Sequence, residues 1–479
     1  MDDLAYLSAT EIAARIRSSQ LSSRDALEAM LARIDDKNPA LNAVVTLDAE
    51  RARSEADAAD AALRRGDHAG PLHGVCMTIK DSFQTRGMRT TSGAPELSDH
   101  VPEEDADPVA RLRGAGAVIV GKTNLPIYAG DCQSYNEVFG RSNNPFDLER
   151  TPGGSSGGAA AALAAGLTPI ELGSDIGGSI RGPASTCGVT GHKPSYGIVS
   201  ARGQIPGPPG TLTQADLAVA GPMARNVEDL ELGLDVLAGP DAWNEVGYRL
   251  ELPGARHQKL SDFRIAAWFN EDLVPIDREV GALLEQAAKA LAGEGARVDF
   301  EARPAIPFDK AIDTFGRLLA AALAGEIPKD AIESAAAREG DDPTSEALRQ
   351  RALRHRQWLG LNERRLQMRQ RWREFFKEWD AVLLPTMPTP AIPHDPSTPA
   401  AERTIEVNGA ARPYFDQTLW VGLTGVAWLP ATVVPVGLTS GGLPVGIQIA
   451  GPFLEDRTTL ALGAHVERIL GGFQKPPGY

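Results

Sequence analysis

The sequence is short of several things at once. Three cysteines, Cys76, Cys132 and Cys187, in 479 residues are too few and too odd in number for a disulfide framework, which fits a reducing compartment. Eight histidines are scattered along the chain. There is no HExxH and no paired CxxC, so no metal is expected, nor any other cofactor. Basic residues are outnumbered 48 to 63, for a net charge of −15, and such a field disfavours nucleic acid as a partner. Nowhere do 18 apolar residues run free of charge or of dense Gly/Pro/Ser. The stretch Ala159–Leu172 comes closest and is too short to span a bilayer. Met1-Asp2-Asp3-Leu4 lacks the basic start of a signal peptide. The expectation is a cytoplasmic protein with no membrane association.

What is present is ordinary globular composition, 42% hydrophobic and 23% charged. A chain this long buries roughly 75% of its unfolded surface. Ser8–Asp36 reads as two helices, with a capping box at Ser8-Ala-Thr-Glu11 and Ser22 or Ser23 capping the second. Asp48–Arg65 reads as a third helix and Pro108–Arg113 as a fourth. Short apolar runs predict buried strands at Val75–Ile79, Ala117–Val120, Phe263–Phe269, Ala381–Leu384, Ala431–Val436 and Val445–Ile449. Thr439-Ser-Gly-Gly442 is a hairpin turn between the last two. Residues 305–377 read as helical. There is no clean linker and no solenoid repeat. The reading is one α/β domain over 1–479: helices over 1–65, a core over 66–240, a helical insertion or cap over 305–377, and the rest of the core over 378–479.

Several motifs carry less than they spell. Gly116-Ala-Val-Ile-Val-Gly121-Lys122-Thr123 matches GxxxxGK[ST], yet Ala-Val-Ile-Val belongs in a strand rather than a phosphate loop. Gly153-Gly-Ser155-Ser-Gly157 matches the GxSxG nucleophile elbow, but the polar stretch before it is no strand. The histidines after it (His192, His257, His355, His394 and His465) have no distinctive setting. The arginines from Arg351 to Arg373 alternate with Glu363 and Glu374 and read as a solvated helix face. The cysteines read as small core residues. Cys132 and Cys187 lie near the Gly/Ser loops, which leaves a cysteine-based amide hydrolase as a minor option.

The constellation that carries chemistry is two Gly/Ser loops and one lysine. The loops are Pro152–Gly158 and Gly173–Ser179, on either side of a helix, Ala159–Ala165. Such glycine density reads either as two tight turns packed against a helix or as backbone N–H groups exposed to an oxyanion with serines presented on them, and two such loops that both carry serine favour the second. A serine nucleophile needs a base. Lys80 closes the apolar run Val75–Ile79, and a lysine at a core edge loses hydration of its charged form. Its pKa then falls from about 10.4 toward the range where a neutral amine accepts a proton. Asp81 beside it would act the other way.

These residues resemble the amidase signature family. The resemblance rests on Pro71–Asp81, Gly121-Lys-Thr-Asn124, Thr151–Gly158, Gly173–Arg181, Gly191-His-Lys-Pro-Ser-Tyr-Gly197 and Leu429–Gly451, in that order, and spans nearly the whole chain. It implies an α/β fold with a large mixed β-sheet covered by helices on both faces. It also implies a Ser–Ser–Lys triad: Ser179 as nucleophile, Ser155 as the bridging serine in a cis peptide, and Lys80 as terminal base. Backbone N–H groups of Ile176, Gly177, Gly178 and Ser179 would form the oxyanion hole, each donor worth roughly 3–4 kcal/mol of barrier. Asp175 and Arg181 would support the loop without reacting, and His192 would have no catalytic part. By position in the family, Tyr128–Ser134 (Gly130, Asp131, Cys132 and Gln133 in particular) and Gly203–Thr213 would line the substrate pocket, with the 305–377 helices as its far wall.

The implied activity is hydrolysis of carboxylic amides through an acyl-enzyme, with aryl esters and carbamates (urethanes) open to the same chemistry. The implied partner is the small-molecule substrate; a homodimer is the expected assembly. Two alternatives stay open. One is a glutamine-hydrolysing amidotransferase of the A type, disfavoured because Ser200–Asp216 departs from that branch's characteristic stretch. The other is a non-catalytic binding protein that keeps the fold.

Overall fold

The computed structural model describes residues 2–205, 208–324, 329–337 and 351–479. Among them, fifteen strands follow in chain order. They are β1 (Val44–Leu47), β2 (Cys76–Lys80), β3 (Val118–Thr123), β4 (Tyr135–Asn136), β5 (Gly140–Arg141), β6 (Ile170–Asp175), β7 (Thr190–Lys193) and β8 (Val219–Ala224). Then come β9 (Arg264–Ala267), β10 (Arg297–Asp299), β11 (Ala381–Pro385), β12 (Thr404–Val407), β13 (Ala410–Pro413), β14 (Ala431–Leu438) and β15 (Pro444–Ala450). Eleven of them form one mixed sheet in the order β1-β3-β2-β6-β8-β7-β14-β15-β11-β9-β10. The runs β3-β2-β6 and β11-β9-β10 are parallel. The strands between them are antiparallel.

The apolar runs are continuous because both faces of the sheet are covered. Cys76, Val118 and Val120 pack with Leu27, Met30 and Ile34 of helix Ser23–Leu41 and with Ala161 and Ala162 of helix Gly157–Ala164. Met77, Ile79 and Ile119 belong to the cluster that includes helices Val227–Leu237 and Arg278–Gly293. At the other end Ala266, Val382 and Leu384 pack with helices Phe308–Ala322 and His355–Glu378. The capping box at Ser8 and the Ser22 cap both form. Thr439 and Gly442 close the turn between β14 and β15.

Three expectations change. The second Gly/Ser segment is not wholly loop: Gly173, Ser174 and Asp175 finish β6, opposite Gly221, Ala220 and Val219 of β8. The helix after the first loop begins at Gly157 rather than Ala159. The arginine-rich helix is not simply a solvated face. Arg365 is buried, pairs with Asp216 at 2.7 Å and stacks 4.3 Å over Trp428. The part of the 305–377 region at 325–328 and 338–350 lies outside the described residues. Strands β7 and β8 had no apolar signature to announce them. Thr190-Gly-His-Lys193 and Val219-Ala-Gly-Pro-Met-Ala224 carry glycine and proline, ordinarily breakers. Gly221 is needed there because a Cβ would lie 2.4 Å from the carbonyl oxygen of His192 on the neighbouring strand.

Candidate active site

Lys80 is the last residue of β2 and is fully buried. Its Nζ lies 2.7 Å from Ser155 Oγ, 3.0 Å from Ser156 Oγ and 2.9 Å from Ser174 Oγ. Burial pushes the amine down to about 7, against the opposing pull of Asp175 and Glu171. Its neighbour Asp81, just past the end of β2, turns to other partners. Asp81 Oδ2 accepts from the Thr91 N–H at 3.0 Å and the Thr91 hydroxyl at 2.6 Å, and burial raises its carboxyl to about 6. The carboxylates that act on Lys80 are Asp175 and Glu171, whereas Asp81 and Lys122 act on each other. Lys122, the lysine of the apparent phosphate loop, sits inside β3 and donates to the Phe83 carbonyl and the Thr85 hydroxyl. It has no free loop around it.

The first Gly/Ser loop delivers Ser155 through a cis peptide bond after Gly154. The Ser156 N–H donates to the Ser179 carbonyl at 3.1 Å, which ties the two loops together. The second loop is folded around Asp175. Its Oδ1 accepts from the Gly178 N–H at 2.9 Å, and its Oδ2 from the Ile180 N–H at 3.1 Å. Arg181 grips both oxygens, at 2.8 and 3.0 Å. Arg181 also donates to the Val421 carbonyl, the Thr424 hydroxyl and Gln448 Oε1. Burial alone would raise the Asp175 carboxyl, but the charge and hydrogen bonds of Arg181 reverse this and hold it well below the usual range. The Gly178 N–H is therefore committed to Asp175 rather than free for an oxyanion. Among the described residues, no acceptor takes the N–H groups of Ile176, Gly177 and Ser179.

Ser155, Ser174 and Ser179 open into one cavity of about 340 Å³. Asp175 and Ile176 border it too. Its other walls are Tyr128, Ala129, Ala201, Gln204, Thr211, Thr213, Ala215, Ala218, Ala322 and Leu323, along with Pro208. The loop around Gly203–Thr213 and the helix Phe308–Ala322 thus do border the site, while residues 206–207 lie outside the described ones. The pocket placing of Gly130, Asp131, Cys132 and Gln133 needs correction: Tyr128 and Ala129 are the wall residues of that segment. Asp131 instead accepts from Arg403 at 2.7 Å and from the Tyr414 hydroxyl at 2.6 Å, and Gln133 bonds Tyr414 and the Asp395 carbonyl. Their backbone packs under Gly154, where a Cβ would meet the Asp131 oxygen at 2.5 Å. These residues brace the serine loop from outside the cavity.

Sequence reasoning missed two neighbours of Lys80, Ser156 and Ser174. Both sit in the quoted Gly/Ser runs, but only folding shows which serine hydroxyls turn toward the amine. None of the cysteines shows the lowered pKa of an activated thiol. Burial raises the thiols of all three, that of Cys76 to about 12. His192 is buried against Asp456 at 3.1 Å and the Thr432 hydroxyl at 2.9 Å. Among the described residues there is no metal-ligating cluster and no helix long and apolar enough to cross a membrane.

A buried lysine bonded to three serines sits at the edge of a cavity on a mixed sheet with helices on both faces, and the fold is that of a known class. The Amidase family model matches residues 25–460, and the chain belongs to the amidase signature family, whose chemistry is cleavage of amide C–N bonds. The particular relatives divide. The A subunit of the glutamyl-tRNA(Gln) amidotransferase of Roseiflexus sp. (strain RS-1) is 32% identical over 99% of this chain and 98% of that protein. Among solved structures, 6-aminohexanoate cyclic dimer hydrolase superposes with a TM-score of 0.80 at 28% identity, covering 99% of each chain. A bacterial aryl acylamidase of the amidase signature family superposes at 0.82 with 27% identity, covering 97% of this chain and 96% of that one.

Proposed function

We propose that the chain is a hydrolase of neutral carboxylic amides that works through an acyl-enzyme on Ser179. The observation that carries the reading is Lys80. It is buried, its pKa is lowered to about 7, and it is hydrogen-bonded to Ser155 beside the cavity that Ser155 and Ser179 share.

The proton route follows from counting. A neutral amine has two N–H donors and one lone pair, and Lys80 has three hydroxyl neighbours. Ser156 and Ser174 accept the two N–H bonds. The lone pair is left for the O–H of Ser155, which borders the same cavity as Ser179. As Ser179 Oγ attacks the carbonyl carbon, its proton passes to Ser155 Oγ and the Ser155 proton passes to Lys80. The N–H groups of Ile176, Gly177 and Ser179 stabilise the tetrahedral oxyanion. The relay runs backward to protonate the leaving nitrogen as the C–N bond breaks. Water then attacks the acyl-enzyme, losing its proton to the same relay and releasing the acid. Histidine has no part.

Ile176, Leu323 and a series of alanines in the cavity wall favour a compact apolar acyl or aryl group. Aryl esters and carbamates fit the same route. The second reading, a glutamine-hydrolysing amidotransferase of the A type, is supported by the curated relatives. Among the described residues no side-chain cation lines the cavity, so the carboxylate of glutamine would be met there by hydroxyls and backbone N–H groups, a weaker match than a neutral amide has. The test is fluorophosphonate labelling of the purified chain, with peptide mass spectrometry and turnover of a neutral aryl amide beside glutamine. The proposal expects the adduct on Ser179 and turnover of the aryl amide. An adduct on Ser155 would overturn the assignment. Glutamine turnover that requires added partner proteins would favour the second reading. No adduct and no turnover of either would favour a binding protein.

A further inference from the structure

A second cavity, of about 960 Å³, lies between helix His355–Glu378 and the core segments around Arg256–Arg264 and Pro452–Glu455. It shares no lining residue with the cavity of Ser179. Its wall carries Arg256, Arg264, Arg369, Arg373 and Lys377 against two carboxylates, Asp380 and Glu455. Both carboxylates are committed. Glu455 is held by Arg256 at 2.5 and 2.8 Å, and Asp380 by Arg264 at 2.9 and 3.1 Å. Lys377 pairs with Glu374. Among the described residues Arg369 forms no ion pair, and the carboxylate acting on Arg373 is its exposed neighbour Glu374, already shared with Lys377 and Gln370.

Arg369 is the unusual one. Its guanidinium lies 4.5 Å from the ring centre of Trp428 and 4.3 Å from that of Phe453, so it is fixed in place by stacking. No acceptor among the described residues takes its N–H groups. Burial lowers its pKa, and the neighbouring Arg365 acts the same way. A guanidinium nevertheless stays charged at working pH. The result is a half-buried, immobilised cation with its donors unpaired, a state that an anion in the groove relieves. Exposed Leu366 and the Phe453 ring supply an apolar strip beside it. All this occurs on a chain of net charge −15, so the local positive field stands against the global one.

We propose that this groove binds a small organic anion: a carboxylate or phosphate head held by Arg369 and Arg373, on a flat apolar body lying along Leu366 and Phe453. Binding adds charge-assisted hydrogen bonds to donors that are already oriented, so little side-chain order has to be created.

The experiment titrates benzoate and phenyl phosphate separately into the full chain, read by calorimetry and by tryptophan fluorescence, since Trp372 and Trp428 adjoin the groove. Arg369→Gln and Arg373→Gln are measured alongside. The second is an exposed position and leaves the stacked arginine in place, so it keeps the test open if the first variant folds poorly. The expected result is saturable one-to-one binding of at least one probe, weakened by salt. Affinity should fall by about tenfold or more in Arg369→Gln and by a few-fold in Arg373→Gln. Aryl amide turnover without probe should be unchanged in both. Preference for benzoate assigns a carboxylate head, and preference for phenyl phosphate assigns a phosphate head. Absence of saturable binding by either probe, equal affinity in Arg373→Gln and wild type, or simple competition with the amide substrate would overturn the proposal.

Discussion

Replacing Lys80 with methionine tests the proposed chemistry and its energetics together. The side chain keeps its bulk and loses the amine that contacts three serines. Depression of the lysine from 10.5 to about 7 by burial corresponds to roughly 5 kcal/mol against the ammonium form. The sign follows from proton uptake. Below pH 7 the lysine is charged in both states, and the folded state bears the whole penalty. Between about 7 and 10.5 the unfolded chain holds the extra proton, so stability rises with pH as the penalty fades. Lys80→Met therefore raises the melting temperature most below pH 7, with the gain shrinking toward alkaline pH. Catalysis moves the other way: loss of a general base lowers kcat/KM by about 10² to 10⁴. Wild type should show a rising limb centred near pH 7 in kcat/KM, and that limb should vanish in the variant. The assay is kcat/KM for an aryl amide from pH 5.5 to 9.5, beside thermal melts over the same range. A variant within a few-fold of wild type that keeps the rising limb would refute the base role. A variant that melts earlier at acid pH would refute the energetic account.

Other consequences are simpler to check. Ser174→Ala removes one acceptor of the Lys80 amine while sparing Ser155 and Ser179; kcat should fall by about tenfold and the pH limb should move, with KM little changed, as steady-state profiles would show. Asp175→Asn leaves the buried Arg181 guanidinium without its anion, so urea denaturation should show a loss of about 3–5 kcal/mol or an insoluble chain. Gly178→Ala places a Cβ 2.7 Å from Val421 Cγ2 at a residue whose φ is +104°. It should disorder the Ser179 loop and abolish fluorophosphonate labelling of that serine. Ala218→Phe fills a wall of the 340 Å³ cavity and should raise KM for bulky aryl amides more than for acetamide, in a paired kinetic comparison.

Much of the site was legible before folding because its parts are local. Lys80 is marked by the apolar run before it, and the serines by glycines that free the backbone around them. The strands β2, β3, β11, β14 and β15 announced themselves because covering both faces of a sheet leaves no room for polar alternation. Strands β7 and β8 did not. Their glycine and proline are tolerated only because neighbouring strands and side chains occupy the space a larger residue would need. The arginine-rich helix misled for a related reason: whether Arg365 meets water or Asp216 depends on a residue 149 positions away.

Residue identity and spacing along the chain were therefore enough for the family, the mixed α/β class and a short list of candidate residues. Everything that depends on direction waited for the fold. Folding turned Ser156 and Ser174, along with Ser155, toward Lys80, and it turned Asp81 toward Thr91. It committed the Gly178 N–H to Asp175. It moved Asp131 and Gln133 from the expected pocket wall to a brace beneath the serine loop, because their partners Arg403, Tyr414 and Asp395 come from the far end of the chain. Hydrogen bonds and burial depend on which surfaces meet, and contacts between such distant stretches of chain leave no mark in local pattern.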